Sequence, residues 1–289
     1  MGGTQVIRGQ KDGRGGLGNV LSGIAVAIGF VLFLGGFIWG AVVYQPYTVP
    51  TDSMMPTVNP GDRVLAQRID GAEVRRGDVV IFNDSLWSDS PMVKRVVGIG
   101  GDTVKCCGQG GRLTVNGKEL DEPYIDQPKP EGVGAFGESD TPSTGGASGG
   151  AGASSGPGAP DTAGALPVVA SGTPFEVTVP EGKLFLLGDQ RSVSIDSRAH
   201  LQEAGQGTVP RSEVSARVDA LAWPRLRMVD RPKTYEPLPG GTSKAGPLRF
   251  QAATVLGGAL LVAIGAAYGP LVRVLGRGRG RRREPVGVG

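Results

Sequence analysis

Met92-Val93-Lys94-Arg95-Val96-Val97-Gly98-Ile99 is a β-branched run closed by Gly100-Gly101-Asp102, and its reading decides the fold. Val and Ile favour pleated strands, and two glycines followed by Asp signal a turn. Side chains alternate along a strand, so Lys94 shares one face with Met92 and Val96. Arg95 shares the other face with Val93 and Val97. A lysine on an apolar strip either snorkels to water or is buried, and burial disfavours its charged form.

Runs of the same kind lie on both sides. Arg63 to Ala66 follows the turn residues Asn59-Pro60-Gly61-Asp62. Asp78 to Phe82 follows Arg76-Gly77. Leu113-Thr114-Val115 runs into Asn116-Gly117, a favoured hairpin turn. Phe175 to Val179 and Lys183 to Leu187 complete the set. Short strands at this spacing predict a mainly β, antiparallel domain. Between them, residues 129–172 are Gly, Ser, Ala, Pro and Thr with almost no apolar bulk, which reads as a low-complexity insertion into that domain. Its Ala151-Gly152-Ala153 pattern is expected by chance in so Ala/Gly-rich a stretch.

Two uncharged runs frame the β segment. Residues 20–44 are mostly Val, Ile, Leu, Phe, Ala and Gly. At about 1.5 Å per residue such a helix crosses a hydrocarbon core of about 30 Å. A cleaved leader would have a shorter apolar stretch. Residues 250–272 form a second, milder run between Arg249 and Arg273. Arg8, Lys11 and Arg14 precede the first run, and Arg273, Arg277, Arg279, Arg281, Arg282 and Arg283 follow the second. Positive flanks stay in the cytoplasm. The expected order is a cytoplasmic segment 1–19, a transmembrane helix 20–44, an extracytoplasmic β-rich domain 45–248, a transmembrane helix 250–272 and a basic cytoplasmic tail 273–289.

The net charge of +3 does not mark a nucleic-acid binder. One histidine, His200, and two adjacent cysteines, Cys106 and Cys107, form no zinc-ligand pattern and supply no histidine-based triad. No cofactor and no metal are expected. Adjacent cysteines rarely bond to each other, so this pair reads as incidental or as a weak redox feature.

Three polar segments carry the candidate chemistry. Pro50-Thr51-Asp52-Ser53-Met54-Met55-Pro56-Thr57 starts shortly after the first apolar run. From Tyr44 to Ser53 the extended chain reaches at most about 32 Å, so Ser53 is expected near a membrane surface. Lys94 is the second candidate. Leu187 to Arg198 is the third segment, and an extended reading puts Ser194, Asp196 and Arg198 on one face. Taken singly, each has a plain structural reading: a turn hydroxyl, a surface lysine, and an exposed Asp/Arg pair worth little.

Taken in order, these segments resemble the type I signal peptidases. Pro50 to Thr57 resembles the family's nucleophile box and Arg76 to Phe82 its strand box. Lys94 to Asp102 resembles its general-base box, and Gly188 to Arg198 its last box. The resemblance implies an antiparallel β catalytic domain and a serine endopeptidase that removes signal peptides from exported precursors after a small-x-small motif. It implies Ser53 as nucleophile and Lys94 as general base. Ser194 would hydrogen-bond the Lys94 amine, and Thr51 with the Ser53 N–H would form the oxyanion hole. Asp196, Arg198 and Asp189 would be structural supports. Val49, Met54 and Val93 would wall the substrate pockets, with the substrate added as a strand beside residues 47–51 or beside the Lys94 strand. Thr51 stands where many members carry Ser, and Gln190 where Asn is common. Implied partners are secretory precursors and the lipid bilayer, with no nucleic acid and a monomeric state. The rivals are a soluble self-cleaving repressor-type Ser/Lys hydrolase and a non-catalytic membrane protein that binds signal sequences.

Overall fold

The computed structural model describes residues 14–107, 112–125 and 173–280. The insertion 129–172, the basic residues Arg8 and Lys11, and Arg281, Arg282 and Arg283 lie outside the described residues. The chain forms two compact units, one built from residues 14–46, 65–68 and 244–280 and one from 47–64 and 69–243 within the described range.

The first unit is dominated by two helices, α1 (Arg14–Val43) and α2 (Leu248–Gly280). Within them Val20–Val43 and Leu248–Tyr268 are long and apolar enough to cross a membrane, with mean hydropathies of 2.4 and 1.8. Only 11% and 17% of these stretches are buried, which a core helix of a water-soluble domain would not tolerate. The first candidate span starts where the sequence reading placed it, and the second begins two residues earlier. The helices run antiparallel in close contact: Gly36 packs against Thr254 and Val255, Gly29 against Gly258, and Gly18 against Tyr268. A Cβ on Gly29 would stand 2.8 Å from the Gly258 carbonyl oxygen. Ser22 donates a hydrogen bond to the Gly265 carbonyl at 2.6 Å. Small residues recurring every seventh position, Ser22-Gly29-Gly36 facing Gly258-Gly265, let the two backbones approach as helices in lipid do.

The second unit is mainly antiparallel β. Its strands include β1 (Tyr44–Thr48) and β2 (Arg63–Arg68) in part, then β3 (Val79–Phe82), β4 (Met92–Ile99), β5 (Thr103–Cys106), β6 (Thr114–Val115) and β7 (Lys118–Glu119). After the insertion come β8 (Phe175–Thr178), β9 (Lys183–Leu187), β10 (Thr208–Pro210), β11 (Val214–Trp223) and β12 (Arg227–Met228). The larger sheet runs β11-β3-β4-β9-β10, with β12 also on β11, and the smaller runs β7-β6-β5-β8. Asn116 and Gly117 join β6 to β7 with φ of 54° and 75°, the left-handed pair that such a hairpin turn requires.

β4 lies inside the larger sheet, between β3 and β9. Its two faces belong to different clusters. Val96 and Met92 join Val80, Phe82, Leu184 and Leu186. Val97 joins Val104, Phe185, Leu187 and Tyr235. The alternation expected for this strand is therefore present, with Lys94 in the row of Met92 and Val96.

Cys106 and Cys107, at the end of β5, are joined by a disulfide across a cis peptide bond. Neighbouring cysteines are discouraged from pairing because the trans peptide between them holds their side chains apart.

Candidate active site

Ser53 sits in a turn after β1, and its side chain is 7% exposed. Lys94 comes up from the middle of β4, 5% exposed, with Nζ 2.7 Å from Ser53 Oγ. Burial brings the Lys94 amine down to about 8. Asp196 and Asp189 oppose that shift, whereas the Arg198 charge reinforces it. Thr51 Oγ1 is 3.3 Å from Ser53 Oγ on the exposed side.

The third segment arrives from β9. Its polar residues follow directly on a buried apolar strand, as expected, but they do not continue as one extended strand. Residues 191–193 form a turn, and Ser197–His200 a 3-10 turn capped by the Asp196 side chain on the Arg198 N–H. The curl buries Ser194, Asp196 and Arg198 together instead of aligning them on one strand face. Arg198 Nε and Nη2 each hold Asp196 at 2.8 Å, and Asp196 also accepts from the Gly188 N–H at 2.9 Å. Burial works to raise the Asp196 carboxyl, but the Arg198 hydrogen bonds and charge outweigh it and hold it below the ordinary range.

The Ser194–Lys94 hydrogen bond implied by the resemblance is absent. Ser194 Oγ is buried beside Asp196, and its hydroxyl helps hold that carboxyl down. The turn sets Ser194 against Gly188, where a Cβ would meet Ser194 Oγ and, at 2.5 Å, the Ser53 carbonyl oxygen. Ser53 and Ser194 thus close on Gly188 from two sides. Val49 and Met54 are fully interior, at 1% and 0% exposure, and only Val93 of the three expected pocket walls is partly open.

On the other face of β4 the supports are ionic. Arg95 and Asp189 form a doubly bonded pair at 2.8 and 2.6 Å, both buried. Burial opposes the Arg95 charge, yet the Asp189 carboxylate outweighs it and raises the group above the ordinary arginine range. Thr57 donates to Asp189 at 2.5 Å, and the Gln190 N–H bonds the Ser53 carbonyl at 3.1 Å. Asp189 therefore holds the Ser53 turn, β4 and the last segment at one point. Asp189→Ala leaves a buried guanidinium without its partner, so a loss of about 3–5 kcal/mol is expected, read as a lower denaturant midpoint. A midpoint unchanged from wild type would show the pair to be dispensable.

Residues the sequence reading did not single out complete the surroundings. Glu122, Tyr124, Arg191 and Tyr235 form a connected cluster next to Arg95, whose guanidinium lies 4.2 Å over the Tyr124 ring. Their only sequence signal is modest: polar and aromatic residues flanking strand ends, which is common at any surface. His200 stacks on Trp87 at 4.2 Å and pairs with Glu203 at 2.7 Å. A cavity of about 230 Å³ lined by Asp84, Trp87, Lys183, Glu203 and Glu213 holds none of Ser53, Lys94 or Ser194.

Comparison with known proteins agrees with this architecture. The family described as signal peptidase, peptidase S26, matches residues 19–223. Signal peptidase IB of Staphylococcus aureus strain COL is 31% identical over 210 residues, covering 70% of this chain and 87% of its own. Signal peptidase I of Mycobacterium tuberculosis strain CDC 1551 is 28% identical over 253 residues, covering 72% of each. A crystal structure of a signal peptidase I from Enterococcus faecalis V583 covers 50% of this chain and 94% of its own at 22% identity, with a TM-score of 0.30, too low to add weight. The chain belongs to the signal peptidase family, peptidase S26. It is accordingly a serine protease of the type I signal peptidase kind.

Proposed function

We propose that the chain removes N-terminal signal peptides from secretory precursors with a Ser53/Lys94 dyad, cutting after small-x-small. The observation that carries this reading is the buried Lys94 amine 2.7 Å from the Ser53 hydroxyl. A serine hydroxyl is a weak nucleophile until a base takes its proton. A lysine at its ordinary value near 10.5 is almost fully protonated at neutral pH. At about 8, roughly a tenth is neutral at pH 7, a gain of about 300-fold over the free side chain.

In the proposed cycle the neutral Lys94 Nζ takes the Ser53 proton while Oγ attacks the scissile carbonyl carbon. Thr51 Oγ1 and the Ser53 N–H receive the oxyanion. The C–N bond breaks, and the Lys94 ammonium gives its proton to the departing amine. Water then attacks the ester, Lys94 takes the proton from that water, and Ser53 recovers it as the signal peptide leaves. Ser194, buried beside Asp196, meets the amine when substrate closes the site. Asp196, Arg198 and Asp189 support the segment. The pockets for small side chains form around Val93, with Val49 and Met54 behind it, and the substrate adds as an extra strand beside residues 47–51 or β4. The domain arrangement proposed is the one expected above, 20–44 and 250–272 in the bilayer with 45–248 outside the cytoplasm, acting as a monomer.

Full-length protein in detergent micelles, mixed with a model precursor, tests this reading. Product masses should show one cut after a small-x-small site; an uncut precursor would remove the reading. The sign of the pH dependence follows from the base. Only the unprotonated amine accepts a proton, so kcat/KM should rise with pH and level off above an apparent pKa near 8. A profile flat between pH 6 and 9 would mean that Lys94 is not the titrating base.

A further inference from the structure

We infer that Tyr235, Tyr124 and Glu122 form a positioning chain for the catalytic loop, so that a strap beyond the family-matched residues tunes the reaction; this rests on the signal peptidase reading above. The matched residues end at 223. The strap 229–243 follows and is fastened at several points. Arg231 reaches Asp219 at 2.9 Å and Ser243 at 2.6 Å, and Ser243 donates to Asp78 at 2.5 Å. Arg76 donates to the Pro239 carbonyl at 2.5 Å while also holding Asp102. Thr234 Oγ1 accepts from the Asp121 N–H at 2.9 Å. Between these fastenings the strap inserts Tyr235 into the cluster beside β4, with no exposed surface left.

From Tyr235 a polar chain runs to the catalytic loop. The Tyr124 and Tyr235 hydroxyls are 2.8 Å apart, and Tyr124 Oη is 2.7 Å from Glu122 Oε1. Tyr124 has one proton and the carboxylate can only accept, so Tyr124 donates to Glu122 and Tyr235 donates to Tyr124. Burial raises both phenols above their ordinary value, which keeps them protonated donors. Glu122 then takes Arg191 in a two-armed pair at 2.6 and 3.2 Å. Arg191 Nε donates to the Gly188 carbonyl at 3.0 Å. Gly188 is the residue on which Ser53 and Ser194 both close. Its N–H is held by Asp196 and its carbonyl by Arg191, so the residue that spaces the two serines is held through both flanking peptides.

None of these three residues touches the reacting atoms. Their effect is geometric: without Glu122 the Arg191 guanidinium loses its partner and releases the Gly188 carbonyl. A displacement near 1 Å at a reacting group costs about 100-fold in rate. Tyr235 and Glu122 should also be coupled, since the strap acts on Arg191 only through Tyr124 and Glu122.

The test is a kinetic cycle on the full-length protein in micelles, assayed well below each variant's unfolding midpoint. Wild type must first cleave the model precursor; if it does not, the functional reading fails and not this inference. Glu122→Gln should lower kcat by about 10- to 100-fold with KM within twofold. Tyr235→Phe keeps the ring and removes only the hydroxyl, and should lower kcat about 3- to 10-fold. The double variant should be no slower than Glu122→Gln alone, because the chain is already cut. Glu122→Asp, which keeps the charge, should recover part of the rate. The inference is overturned if Tyr235→Phe retains wild-type kcat, if the two effects multiply fully, or if the midpoints fall while kcat stays unchanged. Should Glu122→Gln fail to fold, Tyr235→Phe and Tyr124→Phe carry the same comparison.

Discussion

Ser53→Ala is expected to abolish precursor cleavage, with a loss on the order of 10⁴- to 10⁶-fold in kcat, while the protein still folds and inserts. The hydroxyl is nearly interior and its removal deletes one oxygen from a turn fastened elsewhere. Gln190 N–H still holds the Ser53 carbonyl, and Thr57 still holds Asp189. Stability should therefore change little. Lys94→Met, which keeps the length and loses the amine, should match that loss. Lys94→Arg should fare no better, because a guanidinium stays protonated and cannot act as a base. Because the two groups act as one unit, the Ser53→Ala/Lys94→Met pair should be about as inactive as either variant alone. The decisive measurement is the precursor-to-product ratio by mass after long incubation. Processing by Ser53→Ala within tenfold of wild type would mean that the nucleophile lies elsewhere.

The local part of the site was open to sequence reading because it depends on alternation. Met92, Lys94 and Val96 on one face of a strand and Arg95 and Val97 on the other follow from pleat geometry alone. Both rows are present. What escaped reading depends on long-range pairing. β11, the longest strand of the second unit, carries Arg217 and Asp219 at buried positions and four alanines or serine in place of bulk. Such a run has neither clean alternation nor strong β propensity. The charges are tolerated inside because Arg217 meets Asp219 and Asp219 meets Arg231. β1, β5, β7, β10 and β12 were likewise unread, being short or rich in polar residues.

The third polar segment shows a different limit. Its residues are legible as a polar run, but the stretch folds on local side-chain caps rather than as one extended strand. Asp196 bonds the backbone N–H groups of both Gly188 and Arg198, and such bonds compete with strand ladders. The curl packs Ser194 against Gly188. Glu122, Tyr124 and Tyr235 had no chance of being joined from sequence, since more than a hundred residues separate the two tyrosines.

Gly188→Ala is the second large effect, and it reports on the same geometry from the backbone side. The added Cβ would fall on the Ser194 hydroxyl and stand 2.5 Å from the Ser53 carbonyl oxygen. The Ser194 side chain cannot swing away freely, because it is buried, and a backbone carbonyl cannot rotate without moving its own residue. Accommodation therefore separates Ser53 from the loop that carries Asp189, Ser194 and Asp196. Overpacking of this kind costs about 1–3 kcal/mol of stability. The activity cost should be larger, at least about 100-fold in kcat, because the displaced atoms belong to the Ser53 turn itself. The signature is thus a disproportion: a modest fall in the unfolding midpoint with near loss of turnover at a temperature where the variant is fully folded. Ser194→Gly in the same chain removes the side chain that the new methyl strikes first and should restore the midpoint in part. It should not restore turnover, since the Ser53 carbonyl clash persists and the Ser194 hydroxyl is gone. Wild-type turnover in Gly188→Ala would mean that the loop and the nucleophile turn move independently, and the close approach seen at Gly188 would then have no part in catalysis.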